Sequence, residues 1–229
     1  MRSYPDIPYG AHSAQTLDIH LPECENFPVF IYFHGGGFES GDKGAHSMIF
    51  EHLCALGIAA VSCNYRMYPE AKYPDYLEDG AAAMSWVFKN LPRYGKVQGI
   101  YAGGSSAGGY LTMMLCFDKR WLAPHGLTAM DFAGFVHDAG QPTSHFSVVE
   151  RRGMDSRRVI VDESAPLYHV GTGSEYPPML FIIADNDMEC RYEQTMHAEH
   201  CAYRGTFDEN DINHFGKLVE DFVREFPCV

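Results

Sequence analysis

A serine flanked by glycines is the feature that most constrains the fold of this chain. Residues 104–108 read Gly-Ser-Ser-Ala-Gly, behind an apolar run and ahead of a helix-like one. This matches G-x-S-x-G, a strained strand-to-helix turn that exposes a nucleophilic serine at the edge of a sheet. The pattern predicts a strand before Gly104, a helix after it, and Ser106 as the nucleophile. An ordinary helix N-cap is the alternative role for Ser106, since serine caps helices well.

A second glycine-rich turn lies upstream of the serine. The sequence His34-Gly35-Gly36-Gly37-Phe38 directly follows the apolar segment 29–33. Glycines let backbone N–H groups turn inward, where they can hold the oxyanion of a tetrahedral intermediate. We therefore expect the amides of Gly35, Gly36 and Ala107 to form an oxyanion hole, with a turn that merely passes close to the sheet as the alternative. Both motifs together, in this order, indicate a hydrolase.

Short apolar runs alternate with helix-like ones along the chain, which predicts an α/β fold with a mostly parallel sheet and helices on both faces. The predicted strands are 28–33, 58–63, 97–102, 132–137 and 179–184, and an antiparallel strand is expected at 15–21. The predicted helices are 45–56, 75–90, 107–117 and 213–225. Residues 140–177 form the longest irregular stretch, which is typical of a lid or binding loop.

Composition narrows the class of partner. A chain of 229 residues predicts one domain over 1–229, and its net charge of −13 argues against nucleic acid or an anionic membrane as partner. No apolar run approaches the roughly 18 residues of a membrane span, and the N-terminus lacks a signal-peptide core. The seven cysteines show no C-x-x-C spacing, and three of them lie in apolar stretches. We therefore expect a cytoplasmic protein with buried thiols and no metal site.

On these motifs the chain resembles the α/β-hydrolase fold, specifically the esterases related to hormone-sensitive lipase and to the small acetyl-xylan and feruloyl esterases. The resemblance rests on four stretches, which are His34–Phe38, Asn64–Glu70 with Tyr73, Pro74 and Asp79, Gly104–Gly109, and Asp187–Thr195. It implies a Ser–His–acid triad that acts on carboxylic esters without a cofactor. The helical cap that precedes the glycine turn in lipase-like members is absent, which favours small acyl groups.

The resemblance also selects an acid and a base. The family pattern picks Asp187 over Asp185 as the acid, and it places the base in a loop before the last helix. His200 is the preferred base and His197 the second choice, whereas His214 is expected to be structural. Tyr65, Arg66 and Asp79 are expected to support the loop beneath the glycine turn.

The spacing between the chosen acid and base is unusually short. His200 follows Asp187 by only 13 positions, whereas the family's helix and strand between acid and base usually need 25 residues or more. We therefore interpret the region near 195–197 as lacking a helix–strand segment. This spacing keeps open a non-catalytic relative that has lost its base.

The function expected from the sequence is that of a serine carboxylesterase. It would cleave short-acyl esters, with acetylated carbohydrates as a substrate class suggested by the resemblance alone. A serine peptidase or an arylformamidase on the same fold is the enzymatic alternative, because triad residues do not separate these activities. The expected partner is a small-molecule ester, and the sequence leaves open whether the protein forms a homodimer.

Overall fold

The computed structural model describes residues 1–171, 175–183 and 213–227. Within them the chain forms seven strands, which are β1 (Arg2–Pro8), β2 (Thr16–Leu21), β3 (Asn26–Phe33), β4 (Ala59–Cys63), β5 (Lys96–Ser105), β6 (Gly134–Asp138) and β7 (Met179–Ile182). The helices of the same residues are α1 (Ser47–Ala55), α2 (Asp75–Asn90), α3 (Ala107–Phe117), α4 (Lys119–Leu122), α5 (Phe146–Arg151), α6 (Pro166–His169) and α7 (His214–Glu225).

The strands form one sheet in the order β1-β2-β4-β3-β5-β6-β7. Strand β2 runs antiparallel to β1 and β4, whereas the pairs from β4 through β3, β5 and β6 to β7 are parallel. Parallel strands all end at the same edge, so the turns that follow β3, β5 and β6 come close together there. This edge carries both glycine-rich turns found in the sequence.

Both faces of the sheet are buried, as the alternation along β3 shows. Ile31 and Phe33 pack into a core with α2 and α3, whereas Phe30 and Tyr32 pack with α1 and α7 on the other face. Successive side chains of a strand point to opposite faces, so a strand covered on both sides reads as a continuous apolar run. This physical rule explains why the central strands could be read directly from the sequence.

The predicted elements agree closely with the structure in the centre of the sheet. Helices α2 and α3 have the predicted bounds, and the antiparallel strand expected at 15–21 is β2. Strand β1 was not predicted, because most of its residues are exposed and it therefore lacks an apolar alternation. The stretch 140–177 is also more regular than expected, since it contains α5 and α6.

Helix α7 presents the core-facing stripe that its sequence predicts. The core beside β3 buries Phe215, Val219, Phe222 and Val223, and Leu218 is partly buried against it.

Residue 184, the last of the strand predicted at 179–184, lies outside the described residues, as does the region near 195–197. In the described part of the chain, no helix has both the length and the apolar character needed to span a membrane.

A buried histidine on β6 makes stability depend on pH. Burial lowers the pKa of His137 to about 3, and its Nδ1 lies 3.0 Å from the Thr112 hydroxyl. Between pH 6.5 and 3 the unfolded chain therefore binds a proton that the folded protein excludes, so stability falls as the pH drops through this range. His137→Phe, which suits the aromatic surroundings, should remove up to about 1.4 kcal/mol per pH unit of this dependence.

Urea unfolding at several pH values between 4.5 and 7 checks this prediction. His12→Gln is the matched control, because the His12 side chain is 38% exposed. An unchanged pH slope in His137→Phe would contradict the assignment.

Candidate active site

Ser106 occupies the turn between β5 and α3 in a strained conformation. Its φ is 54° and its ψ is −115°, values that a residue with a Cβ rarely adopts. Its N–H donates to the carbonyl of Asp138 at 2.8 Å, which ties the turn to the end of β6. Ser106 stands at the N-cap position of α3, yet its side chain makes no capping hydrogen bond. The half-buried hydroxyl is therefore not used as a helix cap.

The glycines around Ser106 are required by close backbone packing. A Cβ at Gly108 would lie 2.0 Å from the carbonyl oxygen of Phe33, at the end of β3. A Cβ at Gly104 would lie 2.6 Å from the carbonyl of Gly108 and 2.7 Å from that of Phe33. The first turn of α3 thus packs directly on the strand that leads into the upstream glycine turn, and the G-x-S-x-G pattern follows from this contact.

The neighbouring Ser105 points away from the turn. It is fully buried, and its Oγ accepts a hydrogen bond from Tyr32 at 3.1 Å. Tyr32 belongs to the core on the α1 and α7 face of the sheet. Only Ser106 of the two serines is therefore available to a substrate.

The upstream glycine turn lies against Ser106. A Cβ at Gly35 would lie 3.2 Å from the Cβ of Ser106 and 2.9 Å from the carbonyl of Ser105. Gly36 and Gly37 have φ values of +114° and +65°, a region that favours glycine. The structure thus brings together two of the predicted elements, namely the serine turn and the glycine turn.

The carbonyl groups of this turn are all occupied. His34 Nδ1 bonds to the Gly35 carbonyl at 2.7 Å, and the amides of Glu39 and Ser40 donate to the Gly36 carbonyl at 3.0 and 3.1 Å. The Gly37 carbonyl accepts from the Ser147 hydroxyl at 2.8 Å. Each carbonyl therefore has a protein partner that fixes its peptide plane.

The amide groups at the same place differ from the carbonyls. Within residues 1–171, 175–183 and 213–227, nothing accepts a hydrogen bond from the N–H of Gly35, Gly36 or Ala107. Unused backbone donors beside a serine are available to an anionic oxygen. The arrangement is able to stabilise negative charge that develops next to Ser106.

The stacked rings of Tyr65 and His34 form an aromatic platform that supports the glycine turn. The ring of Tyr65 stacks on His34 with centroids 4.6 Å apart, and its hydroxyl donates to the His34 carbonyl at 2.7 Å. Burial lowers the pKa of His34 and raises that of Tyr65, so both side chains are neutral near pH 7. His34 thus helps to orient the turn.

The next residue, Arg66, anchors this platform to α2. Its backbone N–H donates to Asp79 Oδ2 at 2.8 Å, and its guanidinium donates to the same carboxylate from Nε at 2.9 Å and from Nη2 at 2.7 Å. Asp79 is only 1% exposed and also accepts from Gln15 Nε2 at 2.7 Å. Tyr65, Arg66 and Asp79 therefore form the support that was predicted for them.

The predicted acid and base lie outside the described residues. This holds for Asp187 and its alternative Asp185 as the acid, and for His200 and its alternative His197 as the base. His214 is described, and it is the first residue of α7, next to the N-cap Asn213. In the described residues, no three His, Cys, Asp or Glu side chains are grouped so as to hold a metal ion.

One acidic residue near the serine turn was missed by the sequence analysis. Asp138 ends β6, is 1% exposed and pairs in register with Ser105. Its carbonyl is the acceptor for the Ser106 amide. The signal was present in the sequence, because Asp138 directly follows a predicted strand whose carboxyl end lies at the same edge as that of β5.

Comparison with known proteins finds relatives of this chain in sequence and in fold. A family model described as the alpha/beta hydrolase fold matches residues 30–206. The chain is 38% identical over 101 residues to esterase LipI of Mycobacterium tuberculosis, which covers 43% of this chain and 32% of the relative. It is 34% identical over 140 residues to carboxylesterase NlhH of the same species, covering 55% of this chain and 44% of the relative. The chain thus spans less than half the length of these relatives.

Solved structures share the same architecture. Esterase 2 of Thermogutta terrifontis, in a form phosphoramylated by tabun, superposes with a TM-score of 0.76 over 96% of this chain and 93% of that one, at 20% identity. A truncated carbohydrate esterase from gut microbiota superposes with a TM-score of 0.65 over 85% of this chain and 80% of that one, also at 20% identity. At this level of identity the likeness concerns the fold.

Proposed function

Because the chain belongs to the α/β-hydrolase-fold family, we propose that it hydrolyses small carboxylic esters through an acyl-enzyme intermediate on Ser106. The observation that carries the proposal is that Ser106, in its strained turn, lies beside the amides of Gly35, Gly36 and Ala107, which have no acceptor among the described residues. Curated relatives that are named esterase and carboxylesterase support the choice of ester over other acyl substrates.

The proposed reaction has two steps. Ser106 Oγ attacks the acyl carbon as its proton passes to the base, for which we propose His200, held in the correct tautomer by Asp187. The amides of Gly35, Gly36 and Ala107 stabilise the oxyanion, and the alcohol leaves with the proton from the base. Water then attacks the acyl group by the same route, releasing the carboxylic acid and restoring the serine.

We propose short acyl groups, with acetylated carbohydrates as a candidate class. The resemblance to the small acetyl-xylan and feruloyl esterases supports the choice of short acyl groups. A structural neighbour named as a carbohydrate esterase supports an acetylated carbohydrate as the substrate. A panel of acetyl, butyryl and octanoyl p-nitrophenyl esters, beside the matching anilides, separates this class from peptidase or arylformamidase activity.

Covalent labelling tests the nucleophile directly. A fluorophosphonate should react with the purified chain, forming a bond from Ser106 Oγ to phosphorus as fluoride leaves, and mass spectrometry should locate the adduct on the Ser106 peptide. Ser105→Ala should label like the wild type, whereas Ser106→Ala should not label. An unlabelled wild-type chain would favour the non-catalytic alternative, and an adduct elsewhere would contradict the assignment of Ser106.

A further inference from the structure

The short helix α5 packs against the second half of the glycine turn. The Ser147 hydroxyl donates to the Gly37 carbonyl at 2.8 Å, and Arg151 Nη2 lies 2.5 Å from Glu39 Oε1. The Phe146 ring lies 3.3 Å from the position of a Cβ at Gly37. Three side chains of one helix therefore contact the residues that immediately follow Gly35 and Gly36.

Of these three side chains, Ser147 is the one that makes a buried hydrogen bond to the backbone of the glycine turn. It is fully buried, and its Oγ also lies 2.5 Å from Nδ1 of His145, which is 2% exposed. The His145 ring packs on Phe38 with centroids 4.8 Å apart. The hydroxyl therefore has two hydrogen-bond contacts and a fixed position.

Three consecutive glycines need a restraint from a side chain that lies outside the turn. Glycine has no Cβ and adopts many backbone conformations, so the turn itself does little to hold Gly36 and Gly37 at their positive φ values. Backbone donors lower a barrier only when they are held in place before the charge develops. A shift of about 1 Å in such a group is enough to slow a reaction by roughly 100-fold.

We propose that Ser147 is a positioning residue for the oxyanion hole. Its hydroxyl holds the Gly37 carbonyl, and through this peptide it keeps the Gly35 and Gly36 amides directed at the substrate oxygen. The inference rests on the proposed esterase function, and it adds a group from α5 that contacts no reacting atom. Truncation should weaken binding of the transition state and leave binding of the ground-state ester nearly unchanged.

Steady-state kinetics with p-nitrophenyl acetate test the proposal. Ser147→Ala should lower kcat by about 10-fold with KM changed by less than about twofold, because the loss of one restraint should displace the amides by less than the roughly 1 Å that costs 100-fold. Inhibition by a trifluoromethyl ketone, which forms a tetrahedral oxyanion adduct on serine, should weaken in parallel. Ser147→Thr keeps the hydroxyl and should restore most of the rate.

Ser144→Ala is the matched control. Ser144 is also fully buried, but its hydroxyl bonds to Asp162 and Ser164 and has no contact with the glycine turn. An equal loss of kcat in Ser144→Ala, or an unchanged kcat in Ser147→Ala, would overturn the proposal. Either result with an active wild type would leave the esterase function standing.

Hydrogen exchange examines the anchoring without turnover. The amides of Glu39 and Ser40 close the turn on the Gly36 carbonyl, so their exchange should be faster in Ser147→Ala than in the wild type or in Ser144→Ala. An inactive wild type would contradict the proposed function and with it the positioning role of Ser147. Unchanged exchange would show that the hydroxyl does not hold the turn.

Discussion

Replacing Ser106 with alanine is expected to lower kcat for p-nitrophenyl acetate by at least about 10⁴-fold, since losing the nucleophile of a triad removes nearly all of its joint effect. The oxyanion amides and substrate binding stay in place, so a small rate above that of water is expected to remain. The variant should fold, because the Ser106 side chain makes no capping hydrogen bond. The measurement is a progress curve with pure protein, at enzyme concentrations high enough to detect the residual rate.

Ser105→Ala is the control for this prediction. It changes the adjacent residue of the same turn, whose hydroxyl is turned toward Tyr32 and the core. It should keep most of the wild-type kcat and lose about 1 kcal/mol of stability, as a buried hydrogen bond is removed. Retained hydrolysis in Ser106→Ala, with the activity copurifying with the chain, would remove Ser106 from the mechanism.

Replacing Asp79 with alanine is expected to lower the free energy of unfolding by about 3 kcal/mol, within the range found when one partner of a buried ion pair is deleted. The carboxylate accepts hydrogen bonds from the backbone and side chain of Arg66 and from Gln15. All of these donors lose their acceptor in the variant. The Arg66 side chain is 26% exposed and regains some water, which places the loss at the lower end of the range.

Urea unfolding at pH 7, followed by circular dichroism, measures the effect. Asp221→Ala is the control, because Asp221 is 58% exposed and pairs with Lys217 across one turn of α7. Such a surface pair contributes about 0.5 kcal/mol or less. An equally small loss in Asp79→Ala would contradict the view that this carboxylate anchors the platform under the glycine turn.

The fold was predictable because its strongest signals are local. A strand buried on both faces must be apolar at every position, and a helix packed on one side must repeat its apolar residues with a helical period. Strand β3 and helix α7 follow these rules, and the prediction of an α/β fold with a mostly parallel sheet is confirmed. Strand β1 does not follow them, since an exposed edge strand is stabilised by its backbone pairing with β2.

The site was predictable from the sequence wherever steric requirements restrict which residue type can occupy a position. The glycines at 104 and 108 are required because a Cβ there would overlap backbone atoms, and this requirement produces the motif that identified Ser106. No such steric requirement singles out Ser147, which anchors the turn. A serine that bonds a carbonyl 110 positions away looks, in the sequence, like any other serine.

The sequence by itself determined the central strands, the main helices that cover them, the two glycine turns and Ser106 within the second of these turns. It did so because burial and close packing restrict which residue types are allowed at each of these positions. Only the tertiary structure decided which groups bind the carbonyls of the glycine turn, and that no acceptor in the described part of the chain binds the amides beside Ser106. Those partners come from residues distant in the chain, and hydrogen bonds of this kind depend on distance and angle in space.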